Sequence, residues 1–289
     1  MLNSKNNLAR FFKIAALSIA VFACTVTAVY FKHYRGRRPL PHFVILIPSY
    51  NNEKYCEWNL RSAIDQDYPF YRIIYVNDCS TDRTLSLVKK VASSLTKKKD
   101  ILILDNAERK GALENIYGVI HTHVADDEVV VTLDGDDALR DPTVLTTLAA
   151  HYSNPKKEVW LTYGQFISKN CNKKGWNRPY PEFIVRQNRF REYMHIPSHL
   201  RTFRAWLFKK IKQDDLKYEN RFFEMTWDRA FMIPMLEMAG ERHECIQTVL
   251  YTYNDDNPIS DHMKNAQQQL FLDHVIRHYP KYAKIEQKG

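Results

Sequence analysis

With 289 residues, of which 45% are hydrophobic, 13% aromatic and 26% charged, the chain can bury a full core, which excludes a disordered polymer, a collagen or a disulfide-held miniprotein. Its net charge of +9 is concentrated at the amino end, where residues 1–41 hold seven Lys/Arg and no Asp or Glu; the remainder is nearly balanced, so broad electrostatic capture of nucleic acid is not expected. The eight glycines form neither G-x-G-x-x-G nor a P-loop, and the five cysteines contain no C-x-x-C pair, which removes the ordinary dinucleotide and P-loop fingerprints and argues against structural zinc or a disulfide framework.

Ile14 to Phe31 (IAALSIAVFACTVTAVYF) is an 18-residue run without a charge. At about 1.5 Å per helical residue it covers roughly 27 Å, close to a hydrocarbon thickness. Basic residues flank both ends, and Tyr30, Phe31 and Tyr34 suit the carboxyl-side interface. The competing reading is a cleaved signal peptide, with Val21-Phe22-Ala23-Cys24 as a lipoprotein-like site; the length of the run and Phe22 favour a retained anchor. Residues 1–41 therefore read as a short tail, a transmembrane helix at about 14–31 and a basic juxtamembrane segment. Three basic side chains before the span and four after it do not decide the orientation.

From Phe43 onward short apolar runs alternate with helical spacing. Phe43 to Ile47 (FVILI) reads as a strand stopped by Pro48, and Glu53 to Gln66 as a helix through Trp58, Leu60 and Ile64. Strands are expected at 71–76, 101–104 and 129–133, and helices at 82–95 and 112–124. This βαβαβαβ order predicts an α/β fold with a mostly parallel sheet flanked by helices and a ligand crevice at the carboxyl ends of its strands. Beyond about residue 155 the rhythm loosens. A strand is expected at 159–163, then a polar and aromatic stretch over 165–199, helices near 201–211, 226–239 and 261–278, and a strand near 248–253. Lys97-Lys98-Lys99 reads as a solvated loop.

The fourth strand ends in Asp134-Gly135-Asp136-Asp137. Carboxylates this close raise each other's proton affinity unless a cation neutralises them, so the cluster calls for a divalent metal or full solvation. Gly135 suits a sharp turn, and the absence of Glu at Leu145 excludes an EF-hand. The second strand ends in Asn77-Asp78-Cys79-Ser80-Thr81-Asp82. Ser80 or Thr81 suits an N-cap and Asp82 a first helical turn, whereas Asn77 and Asp78 are placed to face the crevice.

Taken together, these segments resemble glycosyltransferases of the GT-A fold, family 2. Pro48-Ser49-Tyr50-Asn51-Asn52 is similar to that family's P-x-Y-N, residues 77–84 to its second-strand signature, and Asp134 to Asp137 to its D-x-D-D. Gly111, Ala112 and Asn115 are similar to its glycine, small residue and asparagine at the start of the third helix. The resemblance implies a GT-A, Rossmann-like sheet in a domain over 42–289, with a nucleotide-binding half over 42–140 and an acceptor-binding half over 141–289. It implies that Asp78 pairs with uracil, that Pro48 and Tyr50 line the base pocket, and that Asn51, Gly111 and Asn115 belong to the donor site. It further implies that Asp134 and Asp136 lie against the ribose and a diphosphate-bound Mn²⁺ or Mg²⁺, with Asp136 as the ligand.

In the second half, Glu224-Met225-Thr226-Trp227-Asp228 resembles the family's E-D, which makes Asp228 the expected general base; Trp227 replaces the Glu, and Glu224 is the fallback. An ordinary reading of Asp228 is a first-turn acid on a helix capped by Thr226. The segment from His195 to Arg204 resembles one placed beside the donor diphosphate, which Arg201 or Arg204 would reach, and residues 257–262 a late loop whose His262 can serve the metal. Only Arg204-Ala205-Trp206 survives of the processive signature Q-x-x-R-W. The expectation is therefore a membrane-anchored, metal-dependent, inverting transferase that moves a single hexose or hexosamine from a UDP-sugar to a hydroxyl of a carbohydrate, lipid or protein. The catalytic domain is expected on the cytoplasmic side, where UDP-sugars are made, a lumenal domain being the alternative. The rival function is a non-catalytic membrane-anchored carbohydrate- or nucleotide-binding protein of the same fold, favoured by the loss of the Glu beside Asp228. A nucleotidyltransferase would need a glycine-rich loop that Ser49 to Glu53 lacks.

Overall fold

The computed structural model describes residues 39–95, 100–257 and 265–286. The expected anchor at 14–31, the lysine run at 97–99 and His262 lie outside the described residues. Among the described residues, no helix is long and apolar enough to cross a membrane.

The first half follows the expected order: β1 (Phe43–Ser49), α1 (Cys56–Ile64), β2 (Tyr71–Asn77), α2 (Thr84–Ser93), β3 (Ile101–Asp105), α3 (Ala112–His123) and β4 (Val129–Thr132). Strand β1 lies between β2 and β4 and pairs in parallel with both, and β3 pairs in parallel with β2. The continuous apolar run of β1 has its reason in burial on both faces. Phe43, Ile45 and Ile47 enter a core with α1, α2 and α4 (Val144–Tyr152), while Val44 and Leu46 enter a second core with α3 and the later helices. Both cores are fixed by the strand period of two.

The sequence reading needs correction in the second half. The expected helix over 201–211 is a strand, β7 (Arg201–Arg204), followed by the short helix α6 (Ala205–Lys209). Strand β7 runs antiparallel between β4 and β6 (Leu161–Ser168), and β10 (His243–Tyr253) pairs in parallel with β6. The eight strands follow the order β3-β2-β1-β4-β7-β6-β10-β5, with the two-residue β5 (Ala138–Leu139) at the far edge. Helix α4, the short α5 (Glu182–Arg186) and the hairpin of β8 (Lys217–Tyr218) and β9 (Arg221–Phe222) were not anticipated. Helix α7 spans Trp227–Ala239, and α8 spans Ala266–His278. Thr226 does not cap α7: it has φ 53°, and its hydroxyl donates to the Met225 carbonyl.

Candidate active site

Parallel pairing aligns the carboxyl ends of β1, β2, β3 and β4, so Tyr50, Asp78, Asn106 and Asp134 leave the sheet on one side. There Tyr50, Asp78 and Asp134 border a cleft of about 1100 Å³ that also receives Arg201, Asp228 and Tyr253 from the second half. A cleft of this size exceeds what one small ligand ordinarily fills.

The two signature loops hold each other in place. Asn51 N donates to Ser80 Oγ, Thr81 N donates to Asn51 Oδ1, and Asn52 N donates to Thr84 Oγ1. The start of α2 is served by Asp82, whose Oδ1 accepts from Thr84 N while Oδ2 accepts from Glu53 N, rather than by Ser80 or Thr81. Asn51, with φ 51°, thus ties the loops together, whereas Pro48, Ser49, Tyr50 and Asn52 line the cleft. The Arg109 guanidinium lies 4.0 Å from the centre of the Tyr50 ring. Asp78 is 3% exposed, and its carboxylate is encircled by donors. Oδ1 accepts from Asn106 Nδ2 at 2.8 Å and from Lys110 N at 2.9 Å, and Oδ2 accepts from Gly111 N at 2.8 Å. Gly111 presents that amide at φ 91°, a conformation L residues rarely adopt. Asn115 joins the network by accepting from Asn106. Burial opposes ionisation of Asp78, but Asn115, Lys110, Asn106 and Gly111 more than offset it and hold the carboxyl below its usual range.

The acidic turn after β4 is built tightly. Asn59 Nδ2 donates to the carbonyls of both Asp134 and Asp137, and Asp137 N closes back on the Asp134 carbonyl. Gly135 is needed for close approach: a Cβ there would lie 2.6 Å from Ser49 Oγ and 2.7 Å from Asn52 Nδ2. Asp137 is buried, with Oδ2 accepting from the Tyr251 hydroxyl and Oδ1 from Asn254 N. Burial and the charges of Asp136 and Asp134 push its carboxyl well up; burial likewise raises Asp136, whose Oδ2 accepts from Asn257 Nδ2. Asp134, Asp137 and His199 each offer a ligand atom, all within 4.8 Å of one another. Asp136, the ligand expected from the motif, is not in that group, although it lines the same cleft.

Across the cleft, Thr132 pairs with Arg201, and this register brings Arg201 beside the acidic turn. Arg201 Nη2 donates to Asp228 Oδ2 at 3.2 Å, and Nη1 lies 3.3 Å from His199 Nδ1. The His199 ring stacks on Tyr251 with centroids 4.4 Å apart. Burial alone would push Asp228 up, but the Arg201 charge foremost, and also Arg229, hold it below the usual carboxylate range. Glu224 lines the cleft too. Arg204 does not: its Nη1 donates to the Asp127 carbonyl, and its guanidinium lies over the Tyr152 ring. The sequence reading missed His195 and His199 as individual site groups, and Asn257 as the partner of Asp136. The signal available for the histidines was their position on either side of Pro197, within the segment read as facing the diphosphate.

Comparison with known proteins agrees with this geometry. The glycosyl transferase family 2 profile matches residues 44–212, more than half of the chain. The poly(ribitol-phosphate) beta-N-acetylglucosaminyltransferase TarS of Staphylococcus aureus is 34% identical over 121 residues, 41% of this chain and 20% of TarS. The putative teichuronic acid biosynthesis glycosyltransferase TuaG of Bacillus subtilis is 30% identical over 101 residues, 34% of this chain and 36% of TuaG. The chain thus spans well under two thirds of either relative. Among solved structures, S. aureus TarS 1–349 in complex with UDP-GlcNAc superposes with a TM-score of 0.56 at 20% identity, covering 81% of this chain and 66% of that one. Glucosyl-3-phosphoglycerate synthase from Mycobacterium tuberculosis, in complex with Mn²⁺, UDP and glucosyl-3-phosphoglycerate, gives 0.55 at 13% identity, covering 84% and 80%. At such identities the superpositions establish a shared GT-A-like fold, and with the profile match over residues 44–212 the chain belongs to glycosyl transferase family 2.

Proposed function

We propose that the protein is a metal-dependent, inverting glycosyltransferase that moves one sugar from a UDP-sugar to an acceptor hydroxyl, with Asp228 as the general base. The reading is carried by one observation: residues of both halves, including Asp78, Asp134, Arg201 and Asp228, border a single cleft at the carboxyl ends of the parallel strands. The structural neighbours solved in complex with UDP-GlcNAc and with UDP and Mn²⁺ support a UDP-sugar donor.

The residues suit a divalent cation, because two carboxylates and an imidazole offer donor atoms within 4.8 Å of one another, and burial raises Asp136 and Asp137, the latter also through its carboxylate neighbours, a cost that a cation would offset. Asp134, Asp137 and His199 would hold Mn²⁺ or Mg²⁺, with Asp136 close by, and when bound the ion supplies charge neutralisation for the departing diphosphate. Pro48 and Tyr50 form the wall of the base pocket, and Asp78 fixes the 106–111 loop against it while reaching the uracil. Asp228 accepts the proton of the acceptor hydroxyl. As that O–H bond breaks, the hydroxyl oxygen bonds to the anomeric carbon, and the bond from that carbon to the diphosphate breaks with its electron pair leaving on UDP. Arg201 holds Asp228 ionised at neutral pH. The acceptor is a hydroxyl of a glycan, glycolipid or protein, reached by a domain anchored through residues 14–31 and facing the cytoplasm.

The test is release of UDP from UDP-GlcNAc, UDP-glucose and UDP-galactose by the purified protein, with and without excess chelator. Turnover is expected to vanish with chelator and to return with Mn²⁺ or Mg²⁺. Full turnover in chelator would remove the metal from this reading, and UDP binding without any turnover would favour the binding-protein alternative.

A further inference from the structure

The imidazole of His195 lies in the cleft with both of its ring nitrogens unsatisfied, whereas Asn52, Asn115 and Arg201 each leave a single buried polar atom without a partner. Its side chain is 7% exposed, it lines the cleft, and neither ring nitrogen has a hydrogen-bond partner within the chain. A buried polar atom in that condition carries an unmet desolvation cost, which a bound water or substrate group facing it would relieve. Nε2 lies 4.0 Å from Asp228 Oδ2, too far for a direct hydrogen bond. An oxygen atom between them can sit about 2.8 Å from both.

We infer that His195 is the second anchor of the acceptor hydroxyl, donating from Nε2–H to the hydroxyl oxygen while the hydroxyl donates to Asp228 Oδ2. This rests on Asp228 being the general base. With its proton committed to Asp228 and one lone pair to His195, the oxygen keeps its other lone pair for the anomeric carbon. The segment bearing His195 is built to hold that position. Arg277 Nη1 donates to the carbonyls of Arg191 and Tyr193, and Arg277 is itself paired with Asp273, which also holds Arg229. The charged groups facing the imidazole are Asp228, Arg229, Arg277 and Arg201; burial and the three cations outweigh Asp228 and bring the ring's pKa down to about 4. His195 is therefore neutral when the enzyme works, and it orients the hydroxyl while the proton moves to the carboxylate.

Water is the probe acceptor, and the measurement is UDP released from UDP-GlcNAc, UDP-glucose or UDP-galactose in the presence of Mn²⁺, alongside UDP affinity by calorimetry. His195→Ala is expected to lower release by about 10- to 100-fold, the scale of a misplaced nucleophile, with UDP affinity unchanged. His195→Gln, whose amide can donate from nearly the same place, is expected to restore release to within about fivefold of the unmodified protein. The inference is overturned by a His195→Ala chain that releases UDP at the unmodified rate, or by a His195→Gln chain no more active than His195→Ala. If Asp228→Asn abolishes release and His195→Ala does not, this inference alone fails. If the unmodified protein releases no UDP from any of the three donors, the transferase reading fails and takes this inference with it.

Discussion

Asp228 and Arg201 form an ion pair at 3.2 Å, and the proposed general base depends on it. The Arg201 charge keeps the carboxylate ionised well into acid, so the acidic limb of turnover against pH is expected to lie below the ordinary carboxylate range. Replacing Arg201 with Met removes the offsetting charge and leaves burial to dominate, which should move that limb upward; an unmoved limb would show that Arg201 does not govern the base. Asp228→Asn should cut turnover by roughly 10² to 10⁴ while leaving UDP affinity unchanged, since the amide cannot take the proton. If Glu224→Gln carries that loss instead, the base is Glu224. Asp78 calls for a different variant. Its two oxygens accept three hydrogen bonds from the 106–111 loop, so Asp78→Asn turns an amide donor toward donors. Both Asp78→Asn and Asp78→Ala should weaken UDP binding more than tenfold by calorimetry, and unchanged affinity in the Asn variant would mean that the loop is held otherwise.

At the scale of elements, the first four strands were legible because each is a short apolar run ended by a polar loop, with β1 and β4 buried on both faces and the edge strand β3 half-buried. Strand β7 was not. Over Arg201-Thr202-Phe203-Arg204, four residues are too few to separate a period of 2 from one of 3.6, and pairing with β4 and β6 decided the matter. The consequence for the site is specific: a helix would put Arg201 and Arg204 on one face, while the strand sends Arg201 to the cleft and Arg204 to Asp127 and Tyr152. The motif loops were legible as a group, yet the sequence did not separate the residues that face the cleft from those, like Asn51, that tie one loop to another. Gly135 is a further case. Its motif position was plain, whereas the crowding by Ser49 and Asn52 follows only from the fold. Gly135→Ala should push β1's loop away from the acidic turn and reduce UDP affinity; an alanine chain that binds UDP normally would mean that the loop yields without cost.

At the scale of the whole molecule, stability should fall with acid, and part of the loss should come from outside the cleft. His243 is buried against Tyr163 and Phe190, and its Nδ1 lies 2.5 Å from the Gly240 carbonyl oxygen. Burial brings its pKa down to about 4 from the ordinary 6.5. Between those values the unfolded chain binds the proton and the folded chain does not, so stability is complete above about pH 6.5 and declines as pH falls toward 4, by on the order of 3 kcal/mol for this one group. His243→Gln keeps an amide donor for Gly240 and should flatten the decline seen in urea unfolding at a series of pH values. An unchanged slope would place the sensitivity elsewhere.

The insertion of β7 beside β4 also bears on the order in which the protein is made. Thr132 and Arg201 are paired neighbours in the sheet yet stand 69 positions apart in the chain. Strands β1 to β4 can pair and collapse around α1, α2 and α3 before that distant segment has left the ribosome, whereas the edge of β4 stays open until β7 arrives. Such an open edge invites pairing with another chain. Pulse-labelled amide exchange during refolding should show β1 and β2 protected ahead of β6 and β7, and growth at lower temperature should raise the yield of soluble protein. The delay has a chemical side as well: Arg201 and Asp228 arrive only with that later segment, so a nascent chain that has already shaped the first wall of its cleft still lacks the opposite one.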